Sequence, residues 1–209
     1  MTQHESDATI DWKAQIERSS DFAREILIKH GELAPMFVIY ADNAIHVIQT
    51  KWNDRAHKRI VMHLMALKAA SLGANAVVFM SEAWMPRPSR QPGETEADFR
   101  ERALNMVPSE ATDQIEVVVI TASYHDADQQ RRTVAETREI IRNAAGKPID
   151  LKLMEAVDED TSHTSGIELL SPRPLADFER ELRRSVYDRM VDSVGFTEHQ
   201  EFIHPTGHA

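Results

Sequence analysis

"AVVFMSEAWM", residues 76–85, decides how the rest of the chain must be arranged. Its first five residues are apolar on whichever side of a strand they fall, and side chains alternate sides along a strand, so both faces need cover. A strand of that kind lies inside a sheet. Ser81, Glu82 and Trp84 follow without a break, and the chain then dissolves into "PRPSRQPGETE", residues 86–96. A carboxylate carried on from a sheltered run must reach water, meet a cation or keep its proton, because an isolated buried charge is too costly.

Upstream, "MFVIYADNAIHVIQT", residues 36–50, is two β-rich runs joined by Asp42-Asn43, residues that tolerate the positive φ of a hairpin turn. "RAHKRIVMHLMALKAASLG", residues 55–73, predicts a helix capped by Asn53 or Asp54 at its start and by Gly73 at its end. Ile60, Leu64 and Leu67 line one stripe of it, and Val61, Met62 and Met65 spread beyond. Such a girth calls for cover on more than one side, by a second helix or by a subunit partner. Before the hairpin, Trp12, Ile16, Ala23, Ile26 and Leu27 set a helical stripe over residues 11–30, ended by Gly31.

Downstream, "QIEVVVITASY", "RRTVAETREIIR" and "IDLKLM" read as three strands linked by "HDADQQ" and "NAAGKP", a natural antiparallel meander. The middle strand is polar enough to be exposed on one face or to lie at an edge. In the last, Ile149, Leu151 and Leu153 share one face and Asp150 and Lys152 the other. Leu175, Phe178, Leu182, Val186 and Met190 then recur at helical spacing. The fold class expected is α+β: a mainly antiparallel sheet of about six strands, made of hairpin, crossover helix, central strand and meander, packed by helices at residues 11–30, 54–72 and 174–194. Residues 1–10 read as a disordered leader, 11–155 as the core domain with a proline-rich excursion at 86–108, and 156–173 as an acidic linker. Thr95 to Asn105 within the excursion has the pattern of a short capped helix. Residues 174–194 read as a helix docking on the core or on a partner, and 195–209 as a flexible tail.

A chain of 209 residues, 42% of them hydrophobic, can bury one substantial core. A net charge of −10 argues against a surface that displaces counterions from a nucleic-acid backbone. The lack of Cys removes disulfides, thiolate nucleophiles and zinc fingers together. "MTQHESDATID" has neither a basic start nor an apolar centre, and no apolar run approaches spanning length, so a soluble cytoplasmic protein without a membrane partner is expected.

The functional reading of the opening stretch makes Glu82 a general base or ligand-anchoring acid, with Ser81, Trp84 and Arg87 as ligand contacts and residues 86–108 as a flap over them. The plainer reading is that Glu82 marks where the strand meets water and that Trp84 packs under the excursion. His125, in the turn "SYHDAD" with Asp126 and Asp128, is the candidate second catalytic group. A triad there with Ser81 or Ser109 lacks any nucleophile setting.

Ten histidines raise the question of metal, but His57 and His63 are six residues apart on a helix, about 120° around its axis, and cannot share an ion. His46 alternates with Ala44 and Ile48 on a strand, and His199, His204 and His208 fall in the tail. No metal and no cofactor is expected. The scattered glycines rule out the phosphate-loop and dinucleotide patterns. Arg173, Arg180, Arg183, Arg184 and Arg189 interleave with Asp177, Glu179, Glu181, Asp188 and Asp192, as on a solvated helix face.

"VVFMSEAWM" resembles stretches of small bacterial or phage-associated proteins, and that resemblance implies no activity. With no catalytic or cofactor motif, the chain reads first as a non-enzymatic binding or assembly module, a homodimer in the simplest case, whose small-molecule ligand is unknown. The alternative is a small cofactor-independent hydrolase with its site at the end of the central strand.

Overall fold

The computed structural model describes residues 11–41, 44–87, 89–106, 113–126, 128, 130–154, 175–194 and 200–205. The Asp42-Asn43 turn, the leader 1–10 and the linker 156–173 lie outside them. In chain order the elements are α1 (Trp12–His30), β1 (Met36–Tyr40), β2 (Ala44–Gln49), α2 (Arg55–Leu72), β3 (Ala76–Pro86), α3 (Glu96–Asn105), β4 (Gln114–His125), β5 (Arg131–Arg142), β6 (Pro148–Leu153), α4 (Asp177–Val194) and β7 (Gln200–Pro205). The strands make one sheet in the order β6-β5-β4-β3-β1-β2-β7, and every neighbouring pair is antiparallel. The fold is α+β. Strands β2 and β3 flank β1 and so run parallel to each other, with α2 as the crossover between them.

β3 is the fourth of seven strands, and its alternation divides the protein into two cores. Val77 and Phe79 join Phe37, Ile39 and Ile48 beneath Val61, Leu64 and Met65 of α2. Val78 and Met80 join Met36, Val38, Val118 and Ile120 beneath Ile16, Ala23 and Leu27 of α1. Each buried side chain of this size contributes about 1.5–3 kcal/mol, so the four residues from Val77 to Met80 tie both helical layers to one strand.

The broad apolar surface of α2 is covered by α4, which lays Val186, Tyr187, Met190 and Val191 against the α2 core. A second helix of the same chain thus supplies cover of the kind that the sequence demanded. Asp54 caps α2, its carboxylate accepting from the His57 amide at 2.8 Å, and Gly73 closes the helix at φ 64°. Arg180 of α4 reaches over Gly73 and donates to the Leu175 carbonyl at 3.2 Å.

Three local expectations change. The segment read as a flexible tail supplies a seventh strand, β7, paired with β2 from Ala44–Pro205 to Gln49–Gln200. Its sequence, "QEFIHP", has no clean alternation because neither Phe202 nor Ile203 is covered; what positions it is the backbone edge of β2, which no pattern of side chains announces. β5 lies inside the sheet, half-buried along most of its length. Of Ile149, Leu151 and Leu153 on β6, only Leu151 is buried: the pairing slips by one residue at Ile141 and Arg142, which takes Ile149 out of the alternation, and Leu153 ends the strand.

A methyl group at Gly73 would both strain the left-handed backbone and collide with the Arg180 guanidinium. Gly73→Ala is expected to lower unfolding stability by about 1–2 kcal/mol in a urea titration. Because the collision is with a movable side chain, adding Arg180→Ala should leave most of that loss in place, as backbone strain requires.

Candidate functional site

Strand β1 is five residues long and β3 is eleven. Their pairing stops at Met36–Met80, whereas β3 stays paired with β4 all the way to Pro86–Gln114. Immediately past that stop the chain entering β1 turns aside, and a cleft of about 490 Å³ opens between it, the end of β2 and β3. Residues 32–35 line one side, Gln49, Thr50, Lys51 and Trp52 another, and Ser81 and Glu82 the β3 wall. Its size falls within the range of small-molecule sites.

The walls are held from behind. Thr50 is tied to the Pro35 carbonyl through both its amide (2.8 Å) and its hydroxyl (3.2 Å), which pins the end of β2 to the start of β1. Trp52 packs on the α2 core, 6.3 Å from the Phe79 ring, with the Lys58 ammonium 5.2 Å from its centroid. Glu82 is half-buried, and one carboxylate oxygen accepts from the Leu33 amide. Burial raises its pKa, the Leu33 amide opposes that rise, Glu116 adds to it, Arg142 opposes it and Glu32 adds to it. The net direction is upward. Arg142 is ion-paired to Glu116 and so is already engaged.

Of the residues singled out from sequence, Ser81 and Glu82 line the cleft and the others do not. Ser81 is buried, and its hydroxyl donates to the Glu82 carbonyl at 2.9 Å. Trp84 lies two residues further along β3 and is 55% exposed. Arg87 pairs with Glu139 on β5, at 2.9 Å, on the far side of β4 from the cleft. His125 sits at the opposite end of the sheet: Glu82 pairs with Val118, seven residues along β4, or about 24 Å. His125 and Glu82 therefore cannot exchange a proton directly.

The described residues of the excursion do not close over Glu82. β3 continues straight to Pro86, so the excursion departs at the strand's end, and none of its described residues lines the cleft. Instead it folds on itself: Thr95 caps α3, and Arg102 clasps Glu94 at 2.7 Å, holding that carboxyl down to about 2. Sequence reasoning missed Glu32, Leu33, Thr50, Lys51 and Trp52. The available signal was the unequal length of the runs at 36–40 and 76–85, which already implies that β3 outlasts its neighbour. Among the described residues no cluster of His, Asp and Glu suits a metal ion, and no helix is long and apolar enough to cross a membrane.

A protein-family model described as Bacteriophage lambda protein ea47 matches residues 2–159 of the 209. The chain belongs to that family. No curated protein and no solved structure matches it. The ea47 match runs from α1 through β6 and takes in every residue of the cleft, while α4 and β7 lie beyond it. The family is phage-associated by name, in keeping with the resemblance seen at "VVFMSEAWM".

An acid whose pKa is raised by folding holds its proton more tightly in the native state than in the unfolded chain, so it lowers stability as pH rises through its range. Glu82→Gln removes that loss while keeping an oxygen to accept from Leu33. Its melting temperature should equal or exceed that of the parent at about pH 8, and the difference should close at about pH 4. A variant that melts well below the parent at alkaline pH would show instead that the charge is structurally required.

Proposed function

We propose that this phage-associated chain is a non-enzymatic binding module whose cleft beside Glu82 takes a small cationic group. The observation that carries the reading is the setting of the Glu82 carboxylate: half-buried at the wall of a preformed cleft, one oxygen held by the Leu33 amide, with Glu32 and Glu116 as like charges nearby. A guanidinium or ammonium group placed there would relieve that repulsion and find a charge-assisted partner. Trp52 adds an aromatic surface of the kind that attracts cations. Lys51, on the exposed lip, is positioned to meet a carboxylate or carbonyl on the same molecule.

Binding is favoured over hydrolysis because general acid–base or nucleophilic work needs a second group within hydrogen-bond reach of the first. Ser81 is engaged with a backbone carbonyl, and His125 is at the other end of the sheet.

Argininamide, agmatine, acetate and glycerol, titrated in turn while backbone amide resonances are followed, test this reading. The cationic pair should shift Leu33, Thr50 and Glu82 and the Trp52 indole, with affinity rising as pH rises, since the ionised carboxylate is the binding form. Glu82→Gln should weaken that binding by about tenfold or more. Shifts produced by acetate alone, or an unchanged affinity in Glu82→Gln, would overturn it.

A further inference from the structure

We propose that β7 is a self-association edge, at which a second copy of the chain adds its own β7 antiparallel across a twofold axis and continues the sheet. β7 ends the sheet on the β2 side, and among the described residues no strand pairs with its outer edge. Its register places Phe202 beside Val47, on the α1 face, and Ile203 beside His46, on the α2 face. Both are large and apolar, and they are 52% and 58% exposed. Consecutive apolar residues on opposite faces of an edge strand are buried together only if the sheet goes on beyond it.

That geometry calls for a strand. A helix or a small molecule would cover one face and leave the row of backbone donors and acceptors unmet, whereas a strand satisfies the backbone and covers both faces. A twofold axis normal to the sheet keeps each face in register with itself. Centred on Phe202, it sets Phe202 opposite its own copy and Ile203 diagonal to its own copy; centred on Ile203, the two roles exchange. β7 is in this sense self-complementary, as an isologous interface must be.

β6, the strand at the other end of the sheet among the described residues, is poorly suited to the same use. Its pairing with β5 is irregular at Ile141 and Arg142, and its residues include Asp150, bound to Arg24 at 2.6 Å, and Lys152. The irregular pairing discourages a further strand there, and it is this rather than charge that separates the two edges, since β7 carries Glu201 and Pro205 of its own. A β6-to-β7 contact would also be head-to-tail and generate an open filament rather than a closed pair. Phe178 and Leu182 of α4, exposed by 71% and 58%, offer no backbone edge and so do not specify what covers them. One six-residue strand pairing is small for an interface, so the association should be weak, with a dissociation constant in the micromolar range.

Sedimentation velocity of the full chain over a dilution series from about 200 to 1 μM tests the proposal, with variants Phe202→Lys, Ile203→Lys, Leu153→Lys and Leu182→Lys. A reversible dimer is expected, its dissociation constant raised about tenfold or more by either β7 substitution and unchanged by the β6 and α4 ones. Amide exchange in β7 of the unmodified chain, which needs no variant to fold, should slow as concentration rises. A monomer at every concentration, a ladder of higher species, a dimer weakened by Leu153→Lys or Leu182→Lys but not by the β7 variants, or β7 exchange independent of concentration would each overturn it.

Discussion

Everything in this protein hangs on the double-sided burial of β3. Four consecutive apolar residues, Val77 to Met80, at the centre of a seven-stranded sheet give their odd-numbered and even-numbered side chains to different cores. Neither helical layer can be detached without exposing one face of the same strand. The hydrophobic effect is non-directional, so it cannot by itself fix topology; the period of two along β3 converts it into a sheet with cover on both sides. The remaining connections follow from that requirement: α2 crosses over to let β3 lie beside β1, and α4 covers what α2 leaves bare.

The candidate site arises where that burial ends. β3 outlasts β1, and at Ser81 and Glu82 a strand buried on both faces passes directly into one with a partner on only one edge. The carboxylate there is neither a fully solvated surface acid nor a paired core acid. Burial and like charge raise its pKa, and the Leu33 amide is the hydrogen bond that partly offsets them. A group poised in that way has more to gain from an incoming cation than an exposed acid does, which links the packing of the core to the chemistry of the cleft.

How much of this was legible in the residues depends on the length scale of the signal. The helices over 11–30 and 54–72, the cap at Asp54, the left-handed Gly73 and the central position of β3 all follow from periodicity and turn chemistry, which act within a few residues. The same reading singled out Glu82 but set it beneath the excursion, whereas the cleft it lines lies between the ends of β1 and β2. Trp52, Thr50 and Leu33 were not legible as a site because they come from three segments brought together only by the register of β1 against its neighbours. His125 and Arg87 looked close to Glu82 in chemistry and are far from it in space, since β4 carries one to the other end of the sheet and β5 holds the other. β7 was illegible for a different reason: an edge strand is recruited by backbone hydrogen bonds, and its side chains need not alternate.

The most direct test of the central strand is native-state amide exchange as a function of low denaturant. The amides of residues 77–80 should exchange only through global unfolding, with the full denaturant dependence, while those of 83–85 exchange through smaller, denaturant-insensitive openings. Uniform behaviour along β3, or exchange at residues 77–80 as rapid as in the exposed helix α3, would contradict the division of the molecule into two cores sharing one strand.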